Sequence, residues 1–253
     1  MIRLDYMEDW NLPLFLKDER VHRILQEVIE VIPQNSELYL HGGAARNAIY
    51  YRLFGEELPQ RDFDMIFIGD KNAFAANLFV RGFVYGKKNT ETAAVFKKAK
   101  VENPSTDYAD WVYLDVVYRK DMTIEESLKQ KINFTINGSA INLRDIDSPD
   151  WFDKVVMLPG TLEDLKSKQL RTNVRYPINI YACVRFISLG FASPSKKELG
   201  EMTDDLRNVE ETKFTYNVDK VIQYVGSAEK VREIVKQLGI NIDILDFNSI
   251  KKG

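Results

Sequence analysis

Leu38-Tyr39-Leu40-His41-Gly42-Gly43-Ala44-Ala45-Arg46-Asn47, followed after a short interval by Arg61-Asp62-Phe63-Asp64, is the stretch on which the reading of this chain turns. The apolar run 38–40 predicts a strand, the glycine pair a turn, and Ala44 to Phe54, free of Pro and Gly, a helix. A strand, a glycine turn and a helix N-terminus together present backbone N–H groups to an anion. Arg46, in the first turn of that helix, is near enough to pair with a triphosphate. Alternate side chains of a strand share a face, so Asp62 and Asp64 project together while Phe63 turns towards a core. Two neighbouring carboxylates repel unless a cation lies between them, and hard oxygen ligands suit Mg²⁺.

A third carboxylate follows in Trp111-Val112-Tyr113-Leu114-Asp115-Val116-Val117-Tyr118-Arg119. Apolar residues flank Asp115 on both sides, as in a strand buried on both faces, where a carboxylate needs a partner or a metal. Further on come Lys131-Ile132-Asn133-Phe134-Thr135-Ile136-Asn137-Gly138-Ser139-Ala140-Ile141-Asn142, then Asp164-Leu165-Lys166 through Leu170-Arg171-Thr172, and then Arg185-Phe186 with Leu189-Gly190-Phe191.

In this order the motifs resemble those of the nucleotidyltransferase superfamily that includes DNA polymerase β, and within it the bacterial-type tRNA CCA-adding enzymes and poly(A) polymerases. The likeness runs from about Leu38 to Phe191. It implies an α+β fold: a polymerase β-like head of mixed sheet with helices on one side, followed by an all-helical neck. The division expected is a head with an N-terminal helix over 1–150 and a neck-like domain over 151–253. The resemblance further implies metal-dependent transfer of a nucleoside monophosphate from an NTP, ATP or CTP, to an RNA 3′-hydroxyl of tRNA or another RNA. Asp62, Asp64 and Asp115 are the catalytic and metal-binding residues it implies, with Mg²⁺ or Mn²⁺. Gly42, Gly43, Arg46, Arg61, Lys131, Asn133, Tyr176 and Asn179 are the nucleotide-binding residues.

The chain departs from the family pattern at informative places. The family's R-R-D becomes Lys131, Ile132 and Asn133, and guanidinium and ammonium are not interchangeable where bidentate phosphate contact is needed. The base-reading E-D-x-x-R element falls on Arg175, Tyr176 and Asn179, so the Asp and Arg that choose between C and A are both absent. A site that selects by hydrogen bonds loses selectivity with those groups. Tyr176 can still stack on a base and Asn179 can still hydrogen-bond one; equally, Tyr176 and Pro177 can simply begin a helix. The interval from Gly42 to Asp62 is longer than usual, which one more helical turn and a loop through Gly55 and Pro59 accommodate. His41 is read as a packed strand-end residue without a catalytic role.

Composition narrows the picture less. The 253 residues, 45% hydrophobic and 11% aromatic, can bury one generous core or two modest ones. A net charge of −3 argues against a strongly basic surface, while leaving room for a local patch that grips phosphates. The single cysteine, Cys183, excludes an intramolecular disulfide and lies in an apolar helical run, as a core residue does. The start of the chain lacks the apolar stretch of a signal peptide, and no run approaches the ~20 residues that cross a bilayer, so a cytoplasmic protein without a membrane segment is expected.

Periodicity predicts a helix over Val21–Ile32 ended by Pro33, a catalytic strand over Asp64–Ile68, a helix over Asn72–Arg81, and strands over Thr92–Val101 and Trp111–Tyr118. After Pro159-Gly160 helices take over: Pro177–Leu189, Ser195–Val209, Val218–Tyr224, and one from Ser227 as N-cap to Gly239 as terminator. Two further functions stay open at this point. One is nucleotide transfer to a protein or small-molecule hydroxyl. The other is an inactive binding module, against which the retained, mutually repelling Asp62–Asp64 pair argues.

Overall fold

Asp18 starts the first helix by accepting the backbone N–H of Arg20 at 3.0 Å and of Val21 at 3.3 Å, the N-capping expected of a short carboxylate. Helix α1 (Glu19–Val31) then buries Val21, Ile24, Leu25, Val28 and Val31, one stripe at helical spacing. The structure, a computed structural model, describes residues 13–60, 62–105, 107–176, 179–207 and 219–240. The chain forms two compact units, Met1–Lys131 with Asn137–Thr161, and Ile132–Ile136 with Leu162–Gly253.

The first unit is built on a seven-stranded sheet in the order β3-β4-β5-β2-β1-β6-β7. Its strands are β1 (Glu37–His41), β2 (Phe63–Ile68), β3 (Val84–Asn89), β4 (Ala93–Ala99), β5 (Trp111–Arg119), β6 (Ser139–Asn142) and β7 (Val156–Met157). All neighbours are antiparallel except β2 and β5, which run parallel. A parallel pair needs a crossover, and the chain between them supplies helix α3 (Lys71–Val80) and the β3–β4 hairpin.

One face of the sheet is core. Leu38, Leu40, Met65, Phe67, Leu114, Val116 and Phe96 alternate along four adjacent strands and are completely buried. Phe74 of α3 stacks on Phe67 at 4.4 Å between ring centroids and meets Phe96 edge-on. Helix α2 (Gly42–Phe54) packs against β1, β2 and β6 and is buried along nearly all of its first three turns. Helix α4 (Ile124–Lys131) packs against β6 and β7. In β5 the alternation is clean: Val112, Leu114 and Val116 are buried while Trp111, Tyr113, Asp115 and Val117 are only half-buried. Asp115 therefore projects from the face opposite Leu114 and Val116 and is half-buried there, not fully enclosed, which corrects the reading from its apolar neighbours.

The second unit is helical over most of its described residues: α5 (Thr161–Lys166, entered from the first unit at Thr161), α6 (Asn179–Ser188), α7 (Lys196–Arg207), α8 (219–225) and α9 (Ala228–Gln237). Ser227 accepts the Lys230 N–H at 3.1 Å and Gly239 follows α9 at φ +68°, the cap and terminator that its sequence announces. Residues 177–178, 208–218 and 241–253, on which parts of the expected helices fall, lie outside the described residues. Cys183 is fully buried in α6, and that burial pushes its thiol up to about 12. No helix among the described residues is long and apolar enough to cross a membrane.

The D-L and L-R-T pieces acquire a structural meaning here. Asp164, only 2% exposed, accepts hydrogen bonds from the Thr135 hydroxyl and from the Arg171 guanidinium, the latter at 3.0 Å. Phe134 and Thr172 form a β-bridge beside it, and Phe134 packs edge-on against Phe186. A buried carboxylate is tolerated only when bonded in this way. Asp164→Ala is expected to lower the stability of the second unit by about 1–3 kcal/mol, seen as a shift of the urea midpoint, because the Thr135 hydroxyl and the Arg171 fork lose their acceptor.

Candidate active site

The strand register sets the site. β2 and β5 pair with Asp64 opposite Asp115, so both carboxylates leave the same face of adjacent strands, roughly 4.8 Å apart at the backbone. β1 pairs with β2 through Leu40 and Met65, and one further step of that antiparallel register brings His41 beside Asp64. A row of His41, Asp64 and Asp115 thus crosses three neighbouring strands. Asp62 precedes β2 by one residue and is half-buried, while Phe63 between the two aspartates is only 4% exposed, as alternation requires.

The glycine turn closes on this row. Gly42 has φ +60°, and a side chain there would bring its Cβ to 3.1 Å from the Asp64 carboxylate oxygen Oδ2. Glycine is required twice, by the left-handed backbone and by the closeness of Asp64. A Cβ on Gly43 would lie 3.9 Å from the Arg46 guanidinium.

Arg46 itself is 2% exposed. Its Nε and Nη2 donate to Asn47 Oδ1 at 3.1 and 2.8 Å, and its Nη1 donates to Asn137 Oδ1 at 2.8 Å. Asn47, equally buried, donates through Nδ2 to the Leu58 and Pro59 carbonyls and to Gln60 Oε1. Gln60 in turn donates to the Asp62 carbonyl. These bonds join the turn, the loop before β2 and the first aspartate into one network. The sequence carried a signal for it, Arg46 and Asn47 set among the small and apolar residues that begin the helix, but the partners lie far along the chain.

His41 has its Nδ1 fully shielded, without a hydrogen-bond partner among the described residues, while one edge of the ring remains partly exposed. Burial, with Lys131 and Arg119 close by, brings its pKa down to about 3, so the ring is neutral at ordinary pH. Lys131 ends α4 in the same unit.

The remaining candidates belong to the second unit. Asn133 Oδ1 accepts the Phe134 N–H at 2.9 Å. The Tyr176 carbonyl accepts the Asn179 N–H at 2.9 Å, as at the start of a helix. Asn179 is 1% exposed, donates from Nδ2 to the Val174 carbonyl at 2.9 Å, and keeps its Oδ1 shielded without a hydrogen bond. Arg175, which the sequence aligned with the family's base-reading element, pairs with Asp205 at 2.7 Å and with Glu201. Arg61 lies outside the described residues.

Among the described residues no three or more His, Cys, Asp or Glu side chains are gathered to hold a metal ion. Two in-register carboxylates nevertheless suit Mg²⁺, which takes one or two such ligands and completes its shell with water and substrate phosphates.

Two consequences can be measured. Gly42→Ala should cost about 1–2 kcal/mol of stability from its backbone alone, read from urea unfolding, and displace Asp64. His41 stays neutral in the folded protein while its unfolded counterpart takes a proton below about 6.5, so stability should fall as pH drops from 6.5 towards 3. Urea midpoints measured across that window should fall less steeply in His41→Gln.

No family model matches the sequence, and no curated protein matches it. The fold is found again in the Thermotoga maritima CCA-adding enzyme complexed with tRNA, at 17% identity and a TM-score of 0.62, over 88% of this chain and 52% of that one. A CCA-adding enzyme in complex with CTP matches at 16% identity and a TM-score of 0.64, over the same shares of the two chains. A tRNA-processing enzyme in an apo form matches 98% of this chain and 60% of its own at 18% identity, with a TM-score of 0.59. The chain thus spans about half the length of the CCA-adding enzymes it matches. At these identities the likeness is one of fold: a mixed sheet with helices followed by a helical region, shared with part of the CCA-adding enzymes.

Proposed function

We propose that this chain is a metal-dependent nucleotidyltransferase that moves a nucleoside monophosphate from an NTP to an RNA 3′-hydroxyl. The observation that carries the reading is the register of Asp64 with Asp115 on the face opposite Leu114 and Val116, against the backbone of Gly42. In the reaction the acceptor 3′-oxygen forms a bond to the α-phosphorus, and the bond from that phosphorus to the bridging oxygen breaks. Pyrophosphate leaves with the electron pair, and the hydroxyl proton passes to solvent or a nearby base.

Asp64 and Asp115, with Asp62, would hold a divalent ion, Mg²⁺ or Mn²⁺, which neutralises charge on the phosphates. The backbone N–H groups that follow Gly42 and Gly43 bind phosphate oxygens, assisted by Lys131 and Arg61. Arg46 acts from beneath, holding the turn to Asn47 and Asn137 so that the N–H groups keep their direction. The resemblance assigns Asn133 and Tyr176 of the second unit to the nucleoside, with Tyr176 as its stacking surface; Asn179, 1% exposed and bonded to Val174, is turned away from that role. The engagement of Arg175 by Asp205 and of the Asn179 amide by Val174 supports weak selection between bases. The tRNA and the CTP bound by the similar CCA-adding enzymes make an RNA end and ATP or CTP the substrates to test first.

Incubation with Mg²⁺, total RNA and each labelled NTP in turn should yield a labelled RNA band. In Asp64→Ala or Asp115→Ala its rate of formation should drop at least about a hundredfold, with far-ultraviolet circular dichroism unchanged. A band of equal strength in both variants overturns the reading. Label found on protein instead of RNA would assign the same site to a different hydroxyl.

A further inference from the structure

The loop that leads into Asp62 has a second side. Behind it, within the first unit, lies a cavity of about 700 Å³, inside the range of small-molecule sites. Val21, Leu58, Phe63 and Val112 give it an apolar wall, with Trp111 at the start of β5. Phe63 and Val112 are the core-facing neighbours of the aspartate face, and none of Gly42, Asp62, Asp64 and Asp115 is among the described lining residues. The cavity is therefore separate from the carboxylate row, although it opens at the same end of the sheet.

Lys17 and Lys100 contribute two ammonium groups, and Lys17 is held in place by the Tyr51 hydroxyl at 2.6 Å and by the face of the Tyr51 ring. Of the two carboxylates, Asp18 turns one oxygen to the N–H groups that begin α1, and Glu57 lies at the exposed rim, so the charges of the border balance in number. An apolar interior with an ammonium group fixed on Tyr51 at its border offers a place for a ring-like apolar body that carries an anionic group.

The far wall is Asn47 and the segment Leu58-Pro59-Gln60, the same groups that organise the candidate active site. Asn47 binds Arg46 on one side of its amide and the loop on the other, and Gln60 binds the Asp62 carbonyl. Leu58 and Gln60 are thus at once wall of the cavity and partners of Asn47 and Asp62.

We infer that this cavity is an effector site for a small organic anion with an aromatic or other ring-like apolar body, and that its occupancy is passed to Asp62 and Arg46 through Gln60 and Asn47. The effect on catalysis rests on the transferase reading; binding and the tightening of the loop do not. The test therefore begins without NTP or divalent metal, using 8-anilinonaphthalene-1-sulfonate, an aromatic monoanion, as the probe on the full chain. One saturable site is expected, with binding at least about tenfold weaker in Lys100→Glu and in the cavity-filling Val21→Trp. Hydrogen exchange of residues 57–60 should slow at saturation in the unaltered chain and not in Lys100→Glu, a surface variant expected to fold normally. Several equivalent sites, no binding, or binding indifferent to both variants would overturn the site. Binding that leaves exchange at 57–60 unchanged would overturn the coupling. If RNA labelling is present, saturating probe should change its rate at least about twofold in the unaltered chain only; if labelling is absent altogether, the transferase reading fails while the exchange result still decides the coupling.

Discussion

The parallel pairing of β2 with β5 is the constraint from which the rest of the first unit follows. It forces Asp64 and Asp115 side by side, two negative charges whose repulsion at this spacing is on the order of 1–4 kcal/mol near a protein surface. The opposing surface of the same strands holds them there, because Phe63, Met65, Leu114 and Val116 are buried in the core. Slipping either strand by one residue to relieve the charges would turn its own core pair, Phe63 and Met65 or Leu114 and Val116, to the opposite face. Core packing and site geometry are thus two faces of one alignment.

A second element of order is the Asn47 side chain. With Arg46 and Asn47 both buried in α2, every donor and acceptor there needs a partner, and the structure supplies them from Asn137, Leu58, Pro59 and Gln60. The consequence is that the longer loop between α2 and β2 is fastened at three successive residues. That fastening explains how a long interval between the glycine turn and the aspartates can coexist with a defined position for Asp62.

Much of this was legible in the residues. The stripe of α1, the strand–glycine–helix turn, the strands carrying the aspartates and the cap of α9 follow from local periodicity and capping chemistry, which act over a few residues. Strand β3 was not, because Gly86-Lys87-Lys88 interrupts its alternation, and β6 is only four residues long with polar Ser139 and Asn142 at its ends. The inward course of Arg46 was hidden as well, since its partner Asn137 lies 91 positions away. Asp115 looked enclosed because Val116 and Val117 together read as a doubly buried run, whereas only one of them faces the core. The Asp164–Arg171 pair could be picked out as a pattern, but its work of satisfying a buried carboxylate together with Thr135 depends on a tertiary contact.

Residues 132–136 belong to the helical unit, yet they are followed by 137–161, which return to the sheet and supply β6 as the second neighbour of β1. During synthesis every residue of the sheet unit has emerged once Thr161 is out, so the head can close while residues 132–136 still lack the helices they pack with. A nascent chain released as far as Lys131 has a β1 whose outer hydrogen-bonding edge is open, and an Arg46 still waiting for Asn137. By the time that edge is closed, the next unit's Phe134 and Thr135 are already outside the ribosome without their own partners, Thr172 and Asp164. The interleaving leaves those five residues waiting on a finished head, and no single cut between the units yields two intact pieces.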